Sequence, residues 1–228
     1  MNLKQQAALH ALQYVRSGNT IGLGSGSTMG LFISALGELL KSGELNDIIA
    51  VPTSEETAYQ AREAGVALST LDEHVRLDIA IDGADEVDKD LNLIKGLGRA
   101  LLREKVVATH ADKFVIIVDK TKLVTRLGTQ VPLPIEIVSF AVGSQIRWLN
   151  QLGCSAELWL SEDGSELLTD NGNPLVRCSF DNGIEDAEYL ASAITSRTGI
   201  VEHGLFLNMA TKVIVANETG ITEMQSTR

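Results

Sequence analysis

Short apolar segments alternate with helical segments through the first half of the chain, and this alternation constrains the fold more than any other feature of the sequence. Such a pattern is typical of a parallel sheet with helices packed on its faces. A strand buried on both faces reads as a short, continuous apolar run bounded by turn residues. The strands predicted in this way are residues 20–23, 48–51, 66–69, 77–81 and 114–118.

The segments between these strands carry helix signals. Residues 28–40 place apolar side chains at helical spacing. Residues 55–64 follow a predicted capping box formed by Thr53 and Glu56, and Gly65 provides a stop signal. Both segments are therefore predicted to be crossover helices, and residues 100–108 form a further helical run.

A change of pattern at Val131-Pro132-Leu133-Pro134 predicts a domain boundary. Beyond it, Asp-Gly and Asn-Gly turns at 163–164 and 171–172 favour antiparallel hairpins, and residues 212–216 are expected to return as a strand of the first domain. The predicted fold class is α/β. A Rossmann-like parallel-sheet large domain spans residues 1–130 and 206–228, and a small α+β domain of ferredoxin-like type spans residues 131–205.

Composition excludes several classes of protein. The formal net charge of -11 repels nucleic acid and anionic membranes, so neither is an expected partner. There is no apolar run near the roughly 18 residues that a membrane helix needs. The first residues lack the apolar region of a secretory signal, which predicts a cytoplasmic location. Cys154 and Cys178 form no CxxC motif and are expected to be reduced thiols.

Two carboxylates follow the predicted strand 77–81 in the sequence Asp82-Gly83-Ala84-Asp85. Either aspartate alone would be read as a turn cap. Two of them at the carboxyl end of a buried strand, with Lys95 ten residues after the second, indicate a site instead, because open α/β sheets place ligands at that edge. Carboxylates and a lysine suit proton-transfer chemistry on a small polar or anionic molecule.

Glu104 is a candidate general base. Its helical neighbours are Ala100, Leu101 and Ala108, so the carboxylate shares an apolar face and has no lysine at helical spacing. Burying an idle carboxylate is costly, which favours a function, although a salt bridge at a helix end is the alternative.

The loop Gly24-Ser25-Gly26-Ser27-Thr28 joins a predicted strand to a predicted helix. Its backbone N–H groups and hydroxyls suit a phosphate at the positive end of that helix. It is neither a dinucleotide fingerprint, because Ser27 replaces the third glycine, nor a Walker motif, because the lysine is missing. A simple tight turn is the alternative interpretation.

Six motifs occur in order along nearly the full chain: residues 24–28 (GSGST), 82–85 (DGAD), 95–98 (KGLG), 102–105 (LREK), 133–136 (LPIE) and 169–173 (TDNGN). Together they resemble type A ribose-5-phosphate isomerase. The resemblance implies an aldose–ketose isomerase of the pentose phosphate pathway that works without metal or cofactor. It further implies conversion of ribose 5-phosphate and ribulose 5-phosphate through an enediolate, by a homodimer or homotetramer.

The resemblance also implies roles for individual residues. Glu104 would move the proton between C2 and C1, Asp82 and Asp85 would bind sugar hydroxyls and assist ring opening, and Lys95 would stabilise the oxyanion. The other residues that the resemblance places against the substrate or its phosphate are Lys4, Ser25, Gly26, Ser27, Thr28, Gly83, Ala84, Gly96, Leu97, Gly98 and Lys122.

One departure from the family pattern is visible. Many members have an unbroken glycine run after the catalytic lysine, whereas this chain reads Gly96-Leu97-Gly98 followed by Arg99. Two alternative functions stay open. One is a sugar-phosphate sensing domain, for which the acidic charge and the absence of a preceding helix-turn-helix are unfavourable. The other is deamination of an amino-sugar phosphate, which begins with similar proton transfers.

Overall fold

The computed structural model describes residues 2–226; Met1, Thr227 and Arg228, at the ends of the predicted large domain, lie outside this range. The helices are α1 (Leu3–Ala11), α2 (Ser27–Ser42), α3 (Glu55–Glu63), α4 (Leu101–Thr109), α5 (Val142–Leu149) and α6 (Ala187–Thr195). The strands are β1 (Thr20–Leu23), β2 (Ile49–Pro52), β3 (Ala67–Leu68), β4 (Ile79–Asp82), β5 (Glu86–Val87), β6 (Leu93–Ile94), β7 (Phe114–Asp119), β8 (Leu133–Ile137), β9 (Ser155–Leu158), β10 (Leu175–Ser179), β11 (Ile200–His203), β12 (Leu205–Phe206), β13 (Lys212–Asn217) and β14 (Gly220–Gln225). Short 3-10 turns cover Leu12–Tyr14, Lys120–Lys122 and Asn150–Leu152.

The chain divides into two compact units, and the first contains a seven-stranded sheet in the order β14-β13-β7-β4-β1-β2-β3. All neighbouring strands pair in parallel except β14, which is an antiparallel edge strand on β13. The five predicted strands and the returning strand after residue 211 are confirmed, with bounds shifted by up to two residues. This is the predicted α/β class.

Helices cover both faces of this sheet because successive strand residues point to opposite sides. Ile21 and Leu23 belong to a core that also contains buried residues of α1 and α2, such as Ala7 and Phe32. Gly22 points to the other face, where a Cβ atom would lie 2.5 Å from Val107 of α4. The glycine therefore lets α4 pack directly against β1.

The second unit contains a four-stranded antiparallel sheet in the order β11-β8-β10-β9. Helix α5 connects β8 to β9, and α6 connects β10 to β11. This is the split βαβ topology of the ferredoxin-like arrangement, so the predicted class of the second unit is confirmed. Its core combines the β8 side chains Leu133, Ile135 and Ile137 with Leu149 and Ile194 of the two helices.

The boundaries of the two units differ from the predicted domains. The first unit comprises Met1–Ala84, Arg103–Lys122 and Asn208–Arg228, and the second comprises Asp85–Leu102 and Leu123–Leu207. Residues 85–102 join the second unit because β6 pairs with β5 on one side and with β12 on the other, in a three-stranded sheet. Residues 123–130 join it because the buried Glu86 carboxylate accepts backbone hydrogen bonds from Gly128 (2.5 Å), Gln130 (2.6 Å) and Val131 (2.9 Å).

The start of α3 also differs from the prediction. Ser54, not Thr53, is the N-cap, and its hydroxyl accepts a hydrogen bond from the Thr57 amide at 3.0 Å. Thr53 is buried and donates instead to the carbonyl of Leu23 at 3.0 Å. Gly65 follows the helix in the left-handed region, as its stop signal predicts. No helix among residues 2–226 is both long and apolar enough to cross a membrane.

Candidate active site

The predicted site residues are distributed over both units. The first unit carries Lys4, Ser25, Gly26, Ser27, Thr28, Asp82, Gly83, Ala84, Glu104 and Lys122, and the second carries Asp85, Lys95, Gly96, Leu97 and Gly98. In the first unit, the loops that follow β1, β2, β4 and β7 lie at the carboxyl edge of the sheet, as their positions after parallel strands predict.

Asp82 ends β4 and is only 2% exposed. Its Oδ1 atom accepts hydrogen bonds from the backbone amides of Gly83 (2.7 Å) and Ser25 (3.1 Å). Gly24 lies against this carboxyl group, and a Cβ atom at Gly24 would be 2.0 Å from the Asp82 Cγ atom. Only a glycine leaves room for the Asp82 carboxyl group at this position. The glycine-rich loop after β1 and the Asp82 motif after β4 are therefore in direct contact.

The glycine-rich loop leads directly into α2. Gly26 is the N-cap of this helix, and its φ of 100° lies in the region that favours glycine. The ammonium group of Lys4 donates a hydrogen bond of 2.8 Å to the hydroxyl of Ser27, in the first turn of α2. A lysine and the N-terminus of a helix both favour an anion at this position.

Lys122 ends the 3-10 turn that follows β7, so it lies on a loop at the same sheet edge. In the preceding residues, Asp119 accepts a hydrogen bond of 3.0 Å from the Thr121 amide, and Lys120 forms an ion pair with Glu218.

Glu104 lies in the first turn of α4 and is 4% exposed. The structure thus buries this carboxylate.

In the second unit, Asp85 and Leu97 are in direct contact. The Asp85 Oδ2 atom accepts a hydrogen bond of 3.0 Å from the Leu97 amide, and the Asp85 amide donates to the Ile94 carbonyl at 2.8 Å. These bonds fix the chain on both sides of Lys95. Leu97 does not adopt a positive φ, whereas Gly96 (111°) and Arg99 (64°) do. The backbone at Leu97 therefore needs no glycine. Arg99 is the non-glycine residue of this loop that adopts the left-handed conformation.

Lys95 is 2% exposed and follows β6. Its ammonium nitrogen lies 5.5 Å from the centre of the Phe206 ring, within the range of a cation–π interaction. Its amide donates to the carbonyl of Gly204 at 2.9 Å, and a Cβ atom at Gly204 would be 2.2 Å from the Lys95 carbonyl oxygen. Sequence reasoning missed Gly204 and Phe206, because β12 is only two residues long and 110 residues separate it from β6.

Sequence reasoning also missed the role of Thr53 and Thr57 beside the glycine-rich loop. Their hydroxyls lie 2.8 and 3.1 Å from the hydroxyl of Ser25. The polar segment Thr53-Ser54-Glu55 directly after a predicted strand is a usable signal for this sheet edge, although the sequence pattern also predicts a capping box there. The arrangement at this sheet edge offers buried carboxylates, hydroxyls and an ammonium group, which suits a small polyhydroxylated anion.

Comparisons with known proteins identify the family of the chain. Residues 49–220 match the family model of ribose 5-phosphate isomerase A, also called phosphoriboisomerase A. Ribose-5-phosphate isomerase A of Roseiflexus castenholzii is 47% identical over 97% of this chain and 94% of its own length. A probable chloroplastic ribose-5-phosphate isomerase of Arabidopsis thaliana is 45% identical over 98% of this chain and 83% of its own.

Solved structures lead to the same assignment. The ribose 5-phosphate isomerase of Plasmodium falciparum superposes with a TM-score of 0.95 at 38% identity, over 99% of each chain. A D-ribose-5-phosphate isomerase in complex with phospho-erythronic acid also gives 0.95 at 38% identity, over 99% of this chain and all of that one. The chain therefore belongs to the ribose 5-phosphate isomerase A family of isomerases.

Proposed function

We propose that this protein interconverts ribose 5-phosphate and ribulose 5-phosphate through an enediolate, without a metal ion. The observation that carries the proposal is the pair of buried carboxylates, Glu104 at the start of α4 and Asp82 at the end of β4, in a chain of this family. Carboxylates kept from water at a sheet edge suit proton transfer better than binding alone.

Glu104 is the proposed base. It takes the proton from C2 of the open-chain aldose, and the C2–H electron pair forms the C1–C2 double bond while the carbonyl oxygen gains the negative charge. The proton of the C2 hydroxyl passes to the negative C1 oxygen, and return of the carbon-bound proton from Glu104 to C1, with the carbonyl formed at C2, gives the ketose and restores the carboxylate. The step needs no oxidant because the carbon that is oxidised and the carbon that is reduced belong to the same substrate.

Lys95 is the proposed stabiliser of the oxygen that becomes negative. An ammonium group that is almost fully buried and fixed through its backbone on both sides is preorganised for a charge that develops only during reaction. Asp82 and Asp85 are proposed to bind sugar hydroxyls and to assist ring opening. Asp82 is fixed by two amides, and Asp85 is fixed by the amide of Leu97.

The phosphate is proposed to bind at the start of α2, where Ser27 and Thr28 open the helix and Lys4 reaches the Ser27 hydroxyl. Lys122 is a further proposed phosphate contact. Gly83 and Ala84 next to Asp82, and Gly96, Leu97 and Gly98 next to Lys95, complete the proposed substrate-binding set. We further propose a homodimer or homotetramer that acts in the pentose phosphate pathway of the cytoplasm.

Conversion of ribose 5-phosphate by the purified protein, followed by proton NMR in D2O, tests the proposal. Appearance of ribulose 5-phosphate with deuterium incorporated at carbon is the expected result. Binding of ribose 5-phosphate without conversion or exchange would favour a sensing domain instead. Ammonia release from glucosamine 6-phosphate, without any conversion of ribose 5-phosphate, would favour the deaminase and overturn the proposal.

A further inference from the structure

Four hydroxyl groups form a cluster in the first unit, where the loops after β1 and β2 meet. The hydroxyl oxygen of Ser25 lies 2.8 Å from those of Thr53 and Ser54 and 3.1 Å from that of Thr57. Thr53 and Thr57 are 1% and 2% exposed, and Ser54 is also buried. Each hydroxyl has one hydrogen and two lone pairs, so it donates at most one of these bonds, and a partner that can only accept shows where a hydrogen is used.

Two of the hydrogens are assigned by carbonyl groups, which only accept. The Thr57 hydroxyl donates to the carbonyl of Gly24 at 3.0 Å, and the Thr53 hydroxyl donates to the carbonyl of Leu23 at 3.0 Å. The hydroxyl of Ser54 donates to that of Thr57 at 2.9 Å. All three neighbours of Ser25 therefore have their hydrogens directed elsewhere and present lone pairs to it.

The single hydrogen of the Ser25 hydroxyl consequently points into the cluster, toward Ser54. The bonds run in one direction, from Ser25 through Ser54 and Thr57 to the carbonyl of Gly24. Reversing this chain would take the Thr57 hydrogen away from a buried carbonyl, which is unfavourable. The carbonyl of Gly24 thus sets the direction of all the hydrogen bonds in this series. The Ser25 hydroxyl can therefore contact a ligand only through its lone pairs, as a hydrogen-bond acceptor.

We infer that the Ser25 hydroxyl accepts a hydrogen bond from a hydroxyl group of the sugar and does not donate to the phosphate, and that Ser54 and Thr57 are positioning residues that impose this polarity. The inference rests on the proposed function and assigns one part of that site. A phosphate dianion offers only acceptors and needs donors, which the Lys4 ammonium group and the amides at the start of α2 supply. A sugar hydroxyl can donate, so it matches what Ser25 presents.

Two ligands that cannot be isomerised distinguish a Ser25 contact to a sugar hydroxyl from a Ser25 contact to the phosphate. Ribitol 5-phosphate carries the hydroxyl groups and the phosphate, and pentyl phosphate carries the phosphate on a chain of the same length. Calorimetry, with displacement for the weaker ligand, gives both dissociation constants. Ser25→Ala is expected to weaken ribitol 5-phosphate about 3- to 10-fold, the usual effect of one lost hydrogen bond, and to leave pentyl phosphate within about twofold. Equal weakening of both ligands, no weakening of either, or no binding of ribitol 5-phosphate by the unchanged protein would overturn the inference.

The positioning role is tested at Thr57, because Val keeps its shape and removes the hydroxyl, whereas Ser keeps the hydroxyl. Thr57→Val is expected to reproduce the selective loss for ribitol 5-phosphate, and Thr57→Ser is expected to restore binding to within about twofold of the unchanged protein. The matched control, Ser34→Ala, removes an exposed hydroxyl from α2 and is expected to change neither ligand. Full binding of ribitol 5-phosphate by Thr57→Val would overturn the positioning role.

These experiments measure binding only, so they are separate from the test of the proposed function. If the unchanged protein binds ribitol 5-phosphate selectively through Ser25 but fails to convert ribose 5-phosphate, the proposed function fails and the polarity of Ser25 stands. If it converts ribose 5-phosphate and Ser25→Ala weakens both ligands equally, the proposed function stands and the inference fails.

Discussion

The ammonium nitrogen of Lys95 lies 5.5 Å from the centre of the Phe206 ring. Both side chains are almost fully buried, so the aromatic face holds a charge that has little contact with water. A desolvated cation–π contact contributes about 2 kcal/mol, which helps to hold the proposed oxyanion-stabilising ammonium group in place. The lysine and the ring are therefore expected to act together.

Replacing this ring is the first prediction. Phe206→Leu keeps the position apolar but removes the aromatic face, and we expect kcat/KM to fall roughly 3- to 30-fold. Steady-state kinetics with ribose 5-phosphate measures the effect. The matched control is Phe180→Leu, which makes the same change at a partly buried position packed against the core of the same unit and should alter activity less than about twofold. Equal activity of both variants would show that the ring does not support Lys95.

A methyl group at Gly24 is predicted to disturb Asp82. Its Cβ atom would lie 2.0 Å from the Asp82 Cγ atom, so Gly24→Ala must displace either the carboxyl group or the end of β1. Overpacking of this kind typically costs about 1 to 3 kcal/mol of stability, and misplacing a carboxylate that is proposed to bind the substrate should lower kcat/KM about 100-fold. Thermal unfolding and kinetics measure the two effects.

Gly30→Ala is the control for that change. In α2 its Cβ atom would approach only the end of the flexible Gln60 side chain, at 3.2 Å. Alanine in a helix interior is favoured over glycine by about 0.5 to 1 kcal/mol, so this variant should be active and no less stable. Full activity of Gly24→Ala would contradict the interpretation that Gly24 makes room for Asp82.

Glu223 is predicted to give the first unit an acid-dependent stability. Hydrogen bonds from Lys212, Tyr14 and His10 lower the pKa of Glu223 from 4.5 to about 2. A carboxylate whose pKa is lower in the folded state stabilises the fold fully above pH 4.5 and loses that contribution as the pH falls toward about 2. Because the side chain is partly exposed, Glu223→Gln should reduce the free energy of unfolding by only about 1 kcal/mol at pH 7.

Urea unfolding at a series of pH values checks this prediction. The difference between Glu223→Gln and the unchanged protein should shrink below pH 4.5 and vanish near pH 2. Glu218→Gln, which breaks an exposed ion pair, is the control and should have no measurable effect. A difference that stays constant with pH would mean that the Glu223 charge contributes nothing.

The proposed role of Lys95 predicts that the reaction needs no metal ion. The positive charge of Lys95 would stabilise the substrate oxygen that a metal ion could otherwise polarise. Dialysis against EDTA, followed by assay in metal-free buffer, should leave the rate of isomerisation unchanged. Inactivation by EDTA that is reversed by a divalent cation would contradict the proposed mechanism.

The sequence predicts the larger elements well because their signals are local. Residues 20–23 were predicted as a strand and form β1, and the predicted return of residues 212–216 to the first unit is β13. The strands β5, β6 and β12 were missed because two residues are too few to show a periodicity, whereas β3, which is equally short, lies within the longer predicted strand 66–69. Their pairing moves residues 85–102 into the second unit, which no local pattern indicates.

Candidate site residues were found where they follow buried strands, as Asp82 follows β4, or where a charge sits on an apolar helix face, as Glu104 does. The contacts of these residues were not predicted. The hydrogen bond from Lys4 to Ser27 joins residues 23 positions apart, and the ring of Phe206 lies far along the chain from Lys95. Such contacts depend on the packed fold, so sequence patterns alone do not predict them.

Replacement of Glu104 by Gln tests the central claim most directly, because the amide keeps the shape and cannot take a proton. Ribose 5-phosphate is incubated in D2O with Glu104→Gln or with the control Glu63→Gln, which changes an exposed glutamate of α3. Proton NMR follows ketose formation and carbon–deuterium exchange, and calorimetry follows binding. We expect Glu104→Gln to lose turnover and exchange together, roughly 100- to 10,000-fold, with binding within about tenfold of the unchanged protein. Turnover and exchange at the rate of the control, or a loss of binding that accounts for the whole loss of turnover, would contradict the role of Glu104 as the base.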